Sequence, residues 1–325
     1  MIMHDLIIAW QNFWFKPQSP LSLCVFRIVF GLVFLTQILS QYWLDFSVFF
    51  GAHPFIPHED FVAFWTRKNI TLNLFELLPT DDFWHTAFFI VLGILTVMMI
   101  IGFCTRFSII LVFLSFASIC HQYPFLMNAG DNMQRLVLFL LSFSGAGDCL
   151  SVDSYLKNKN GDWRKAVFDP PPCSAWATRM LQVQLAIAYI STALLKINSP
   201  IWFYGNGCYI ATRLNDFAKF RVPVIFDHRI SLYFMAWLTI FVEFAAGTLI
   251  WIKELRYWVI LVGVCLHIGI DWAMNIPIFE FAFMSMYILF IDSEDMKKLG
   301  HWLKLLSKCF YIKKAYVSGR LSGNE

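Results

Sequence analysis

A lysine, two histidines and several carboxylates stand inside or at the edges of long apolar runs, where ionisable side chains are costly and are functional by default. Lys196 follows the uncharged run Leu181–Leu195. An amine partly stripped of water there gives up its proton more readily and can act as a general base; otherwise the lysine marks the membrane interface, its charged end in the headgroups. His267, Asp271 and Asn275 are spaced four apart, so a helix stacks them along one face as a polar stripe. Asp131 and Asn132 head another run, with His121 before them and Arg135 four residues after Asp131, the spacing of a helical ion pair. Arg27 and Glu243 are charges inside two further runs: they pair with each other, or Arg27 reaches back to the headgroups. On this reading Lys196 and His267 are the candidate catalytic groups. His121, Asp131, Asn132, Asp271 and Asn275 form the supporting polar pocket.

The elements that must position these residues are membrane helices. The chain has 325 residues, 58% of them apolar and only 14% charged, with a mean hydropathy of +0.61. Soluble domains average about 25% charged residues, so this composition excludes an ordinary cytosolic or secreted enzyme. The 35 phenylalanines suit lipid-facing surfaces and interfacial belts. A net charge of +3 calls for no nucleic acid. The eight cysteines show no Cys-x-x-Cys and no paired Cys/His spacing, which argues against a metal site.

The apolar runs are Leu21–Tyr42, His85–Ile101, Ser108–Cys120, Met133–Gly145, Ala175–Leu195, Ser231–Ile252, Tyr257–Met274 and Ile276–Ile291. The expected fold is therefore an all-α, polytopic membrane bundle of about eight transmembrane helices, the first a retained span rather than a cleaved signal. A merger of the last two runs is the alternative, with Asn275, Ile276 and Pro277 as a mid-helix break. Residues 1–17, rich in Trp and Phe, read as an interfacial amphipathic helix, 18–293 as the membrane domain and 294–325 as a basic cytoplasmic tail. With the N-terminus inside, sixteen Lys/Arg fall on the cytoplasmic side and six on the other, which are Arg67, Lys68, Arg213, Lys219, Arg221 and Arg229. Both termini are thus expected in the cytoplasm. Cys120 and Cys208 are the two cysteines expected on the outer side, where a disulfide between them is one reading and two free thiols the other. The loop Trp43–Trp84 is expected to fold back over that outer face.

Several stretches resemble the horizontally transferred transmembrane (HTTM) family, whose best-known member is the vitamin K-dependent gamma-glutamyl carboxylase. They are Arg27–Gly31, Gly102–Arg106, Asn128–Asn132, Ser151–Asp153, Leu194–Trp202 and the pattern from Leu266-His267 to Met274-Asn275. The resemblance implies a bacterial-type protein in the cytoplasmic membrane with an outward-facing polar pocket. It further implies a carboxylase-like reaction: a lysine matching Lys196 deprotonates a reduced quinone, vitamin K-like, and His267 supports it. A lipid-soluble quinol and a small protein or peptide are the implied partners besides the bilayer. One departure stands out, since Asp131-Asn132 replaces the Asn-His of the carboxylase branch, leaving His121 as the nearby histidine. The other readings are a non-catalytic component of a peptide maturation or export system, and a transporter.

Overall fold

The computed structural model describes residues 2–51, 53–55, 57, 73–215, 217–220, 227–276 and 278–302. Arg67, Lys68, Arg221, Pro277 and the basic residues from Lys304 onward lie outside the described residues. The chain divides into a unit of Met1–Phe290 and a second of Ile291–Glu325, whose described part is a short helical stretch with Lys297–Glu294 and Lys298–Asp295 pairs one turn apart.

The first unit is helical, with one strand pair. Its principal helices are α1 (Ile2–Phe15), α2 (Leu21–Gln37, continued by a widened turn over Ile38–Tyr42), α3 (Asp82–Ile101), α4 (Thr105–Gln122) and α5 (Ala129–Ser142). Then come the short α6 (Val152–Asn158) and α7 (Trp163–Phe168), followed by α8 (Trp176–Ile197), α9 (Arg229–Thr248), α10 (Arg256–Ala273) and α11 (Phe279–Met286). The strands β1 (Pro17–Gln18) and β2 (Cys173–Ser174) pair antiparallel and tie the end of α1 to the start of α8. The long helices run up and down, so their ends gather at an α1 end and a far end.

Among the described residues six helices are long and apolar enough to cross a membrane: Leu21–Tyr42, Asp82–Ile101, Thr105–Gln122, Trp176–Ile197, Arg229–Trp251 and Arg256–Ala273. Their faces sort as lipid solvation requires. On α3, Phe89, Leu92 and Met99 are buried while Ile90, Val91, Ile94 and Val97 are exposed. The other two expected spans are shorter. α5 has 14 residues, about 21 Å against the roughly 30 Å of a hydrocarbon core. The last apolar helix runs only Phe279–Phe290. Both are bounded by turns that the packing needs: Asn128 caps the start of α5, and Ile278, at φ 63°, turns the chain into α11.

Close approaches between helices are made by small residues, as lipid-embedded packing demands. A side chain at Gly247 of α9 would stand 2.5 Å from Ile190 and 3.0 Å from the Ala186 carbonyl of α8, so glycine sets that interhelical distance. The described part of the Trp43–Trp84 loop docks on the far end of α4, where Asn73 donates to Gln122 Oε1 at 2.7 Å and Ser118 Oγ accepts from Leu74 N at 3.0 Å.

Candidate functional site

Lys196 is the last charged group of α8, and its ammonium is held by both carboxylate oxygens of Glu243 on α9, at 2.6 and 2.7 Å. The two side chains are 18% and 12% exposed. The Trp202 ring lies 5.0 Å from the amine on another side, a cation–π contact supplied by the helical turn Pro200–Phe203. The ammonium donates to both carboxylate oxygens, the geometry of a charge-assisted ion pair. Around it Leu194, Leu195 and Ile201 expose apolar surface, so the pair stands beside the lipid-facing side of the bundle.

Two turns back along α8, Tyr189 belongs to a second, fully buried polar chain. Its hydroxyl contacts His267 Nε2 at 2.5 Å and the Tyr287 hydroxyl at 2.7 Å. The other ring nitrogen of His267 is in short contact with Glu280 Oε2. A carboxylate, an imidazole and two phenols thus form one hydrogen-bonded run across α8, α10 and α11. Gly263, one turn before His267, makes room for it: a Cβ there would collide with the Tyr287 hydroxyl. Glu280 is 1% exposed and its Oε1 is buried with no hydrogen-bond partner among the described residues. The ion pair and the buried chain are joined by α8, which carries Lys196 and, two turns earlier, Tyr189.

The other sequence candidates go elsewhere. Asp131 is buried at the start of α5, where its Oδ2 accepts from Asn128 N at 2.8 Å in a reciprocal capping box and its Oδ1 accepts from Gln37 Nε2 at 2.6 Å. Tyr42 also reaches Oδ1, at 3.4 Å. Residues five apart do not share a face of a regular α-helix; the widened turn, with Trp43 N bonded to Ile38 O, brings Gln37 and Tyr42 together on that carboxylate. With both oxygens taken, the expected Asp131–Arg135 pair does not form among the described residues, and Arg135 donates to Asn132 Oδ1 at 3.1 Å. Asn132 is exposed, and His121 is half-buried at the end of α4.

The polar stripe also stops short. α10 ends at Ala273, so Asn275 is off the helix, its N–H bonded to Phe217 O at 2.5 Å beside an isolated bridge between Ala218 and Met274. Asp271 pairs with Lys219 at 3.3 Å. Arg27 neither pairs with Glu243 nor reaches the surface. It is fully buried, and its guanidinium donates to the carbonyls of Ala146 at 2.5 Å, Leu150 at 2.6 Å and Ile100 at 3.3 Å. Cys120 and Cys208 are both free thiols.

Of the groups assembled here, Tyr189, Tyr287, Glu280 and Trp202 escaped the sequence reading. Two signals for them existed. Glu280 is the single acidic residue in the run Ile276–Phe290, and Tyr189 lies seven residues before Lys196, hence on the same face of α8. Among the described residues no group of three His, Cys, Asp or Glu converges as a metal ligand set.

Five of the six motif stretches meet at two places, and Asn128–Asn132 stands apart at the start of α5. Lys196 and His267 face the neighbourhood just described. Arg27, Gly102–Arg106 and Ser151–Asp153 interlock at the α1 end: Gly102 ends α3 in a left-handed turn at φ 72°, and Arg27 holds the carbonyls on either side. Asp153 accepts from Cys104 N, Thr105 N and Thr105 Oγ1 at 2.8, 2.7 and 2.7 Å, capping α4. Burial pushes the Asp153 carboxyl up, but these bonds and the nearby Arg27 charge outweigh it and hold the group below its ordinary value. No solved structure matches the chain. A family model described as the HTTM domain matches residues 15–294, and the chain belongs to the HTTM family of multi-pass membrane proteins.

Proposed function

We propose that this chain is a membrane-embedded modifying enzyme that takes a proton from a lipid-soluble hydroxyl substrate of the reduced-quinone class, on behalf of a small protein or peptide partner. The observation that carries this reading is the Lys196–Glu243 pair, 18% and 12% exposed beside lipid-facing apolar surface, two turns along α8 from the buried Glu280–His267–Tyr189–Tyr287 chain. In the proposed topology the chain crosses the cytoplasmic membrane eight times with both termini inside, α5 and the last helix being the two short crossings, and Lys196 lies in the outer half.

The residues fit a reduced quinone in two respects. Its ring is planar and apolar, which suits Trp202 and the lipid-facing side of α8; its weakly acidic hydroxyl suits a paired carboxylate and ammonium. When bound, the reduced quinone supplies the electrons for dioxygen reduction. Lys196 gives a proton to Glu243 and the freed amine takes the hydroxyl proton, the ammonium so formed stabilising the oxyanion, so that the two act as one acid–base unit in a low-dielectric setting. His267, fixed between Tyr189 and Glu280, offers a buried run along which a proton can be shared rather than left on a single group.

The test uses full-length protein in lipid nanodiscs with the reduced naphthoquinone menadiol. Binding is read by quenching of tryptophan fluorescence and turnover by dioxygen uptake above the uncatalysed rate. Wild type should show both, Lys196→Ala neither, and Lys196→Arg binding with lost uptake, because guanidinium keeps its proton where an amine can exchange it. Undiminished uptake in Lys196→Arg, or unchanged binding in Lys196→Ala, would refute the assignment.

A further inference from the structure

At the α1 end lies a cavity of about 780 Å³, within the roughly 300–1,000 Å³ range of small-molecule sites. Its wall includes the loop Gly145–Asp148, Arg106 of α4, Lys157 of α6, and the apolar side chains of Phe143 and Trp176. Three of these groups are charged, and none of the three has a hydrogen-bond or ion-pair partner among the described residues. Asp148 nevertheless feels both cations across the space. Burial pushes its carboxyl above the ordinary value, and Lys157 and Arg106 offset only part of that.

All three side chains are exposed where they line the cavity, and the backbone that carries them is fixed. Arg27 pins the Ala146 and Leu150 carbonyls from below, and Ser151 Oγ bonds the Gly147 carbonyl at 2.6 Å. Asp153 fixes the start of α4, hence Arg106. The Asp148 carboxylate folds over Gly145, where any side chain would displace it. Cys104 and Leu150 are held at φ 45° and 47°, backbone states that non-glycine residues keep only when their surroundings impose them. The cavity is thus pre-organised for a ligand carrying both signs of charge.

Its depth points to the source of that ligand. Cys173 and Ser174 of β2 line the cavity and pair with Pro17 and Gln18, directly after α1. α1 exposes Met3, Leu6, Ile7, Trp10 and Phe15, and Arg179 anchors its end through Phe13 O at 3.2 Å. Such a helix lies at the boundary between headgroups and acyl chains, so the cavity opens at headgroup depth.

We propose that this cavity binds the headgroup of an aminophospholipid, the phosphate between Arg106 and Lys157 and the primary ammonium against Asp148, with the acyl chains leaving past Phe143 and Trp176. The site is independent of the Lys196 reading. It distinguishes headgroups by chemistry: a choline group cannot donate a hydrogen bond to Asp148, and a glycerol headgroup leaves that carboxylate without a counter-charge.

The test is native mass spectrometry of the delipidated full-length protein in detergent, titrated with phosphatidylethanolamine, phosphatidylcholine and phosphatidylglycerol of identical chains, and with soluble phosphoethanolamine. Phosphatidylethanolamine should bind about tenfold or more tightly than the other two, one charge-assisted hydrogen bond being worth about that factor. Asp148→Asn should bring it to the phosphatidylcholine level, and Lys157→Gln, a change on an exposed helix surface, should weaken all three lipids together. Equal binding of ethanolamine and choline lipids by the wild type, or an unchanged preference in Asp148→Asn, overturns the proposal. Soluble phosphoethanolamine matching the lipid's affinity overturns the lipid as its source.

Discussion

Removing both partners of the Lys196–Glu243 pair should be no more damaging than removing one. The ammonium meets two carboxylate oxygens at 2.6 and 2.7 Å, and the side chains are only 18% and 12% exposed. Truncating one member of a buried pair leaves an uncompensated charge and costs about 3–5 kcal/mol; partial exposure puts this pair near about 3. Lys196→Met also gives up the Trp202 contact, worth about 0.5–1 kcal/mol at a partly exposed site. Lys196→Met and Glu243→Met should therefore each cost about 3 kcal/mol. The double variant leaves no stranded charge and fills the gap with apolar volume, so it too should cost about 3 kcal/mol or less, where additivity would give about 6. The assay is reversible unfolding in mixed micelles titrated with sodium dodecyl sulfate, followed by circular dichroism. A double variant as damaged as the two singles together would mean that the pair is uncoupled, and the geometry given for it would be wrong.

The remaining expectations concern the groups that frame the two sites. Gly263→Ala should cost about 1–3 kcal/mol by driving the Tyr287 hydroxyl out of its place beside Tyr189, and adding Tyr287→Phe should recover part of the loss in thermal melts; no recovery would place the strain elsewhere. Arg27→Met should destabilise by about 3 kcal/mol or more, because the Ala146, Leu150 and Ile100 carbonyls lose their donor, and hydrogen–deuterium exchange should rise first in 144–153. Exchange rising first at the far end instead would contradict that role. Asp153 is held below its ordinary pKa in the fold, so its stabilisation is complete above the unfolded value of about 3.9 and is lost as pH falls through the folded one. The melting-temperature gap between wild type and Asp153→Asn should stay level from about pH 7 to pH 5 and narrow below about pH 4; a gap that widens on acidification would reverse the sign.

Composition and hydropathy suffice for the class of the molecule because lipid exposure leaves few options: backbone groups must be satisfied within each segment, so apolar runs become helices. They do not fix how far a run extends. The stretch headed by Asp131 reads as a span, yet its helix is closed after 14 residues by a capping box at one end and by the loop that Arg27 holds at the other. The stripe His267–Asp271–Asn275 has helical spacing, but the chain leaves the helix at Ala273 to bond with Phe217, a contact 58 residues away that periodicity cannot register. The Asp131–Arg135 spacing fails because Gln37 and Tyr42 reach that carboxylate first, through a widened turn with no sequence signature that marks it.

A charge inside an apolar run announces that it needs a partner, but the partner is chosen by helix packing. Lys196 takes Glu243 from 47 residues away, His267 takes Tyr189 and Glu280 from two other helices, and Arg27 takes three main-chain carbonyls and no side chain. Those choices separate the buried charges by role. Arg27 is held by main-chain carbonyls and Asp131 mainly by a backbone N–H and the Gln37 amide, which suits fixed structural bolts at opposite ends of the bundle. Lys196 and Glu243 are partnered by each other, and His267, Glu280 and the two tyrosines by one another, so these polar side chains answer to other ionisable side chains rather than to the backbone. That difference in partners, rather than burial alone, distinguishes the Lys196 neighbourhood from the other charges in this membrane domain.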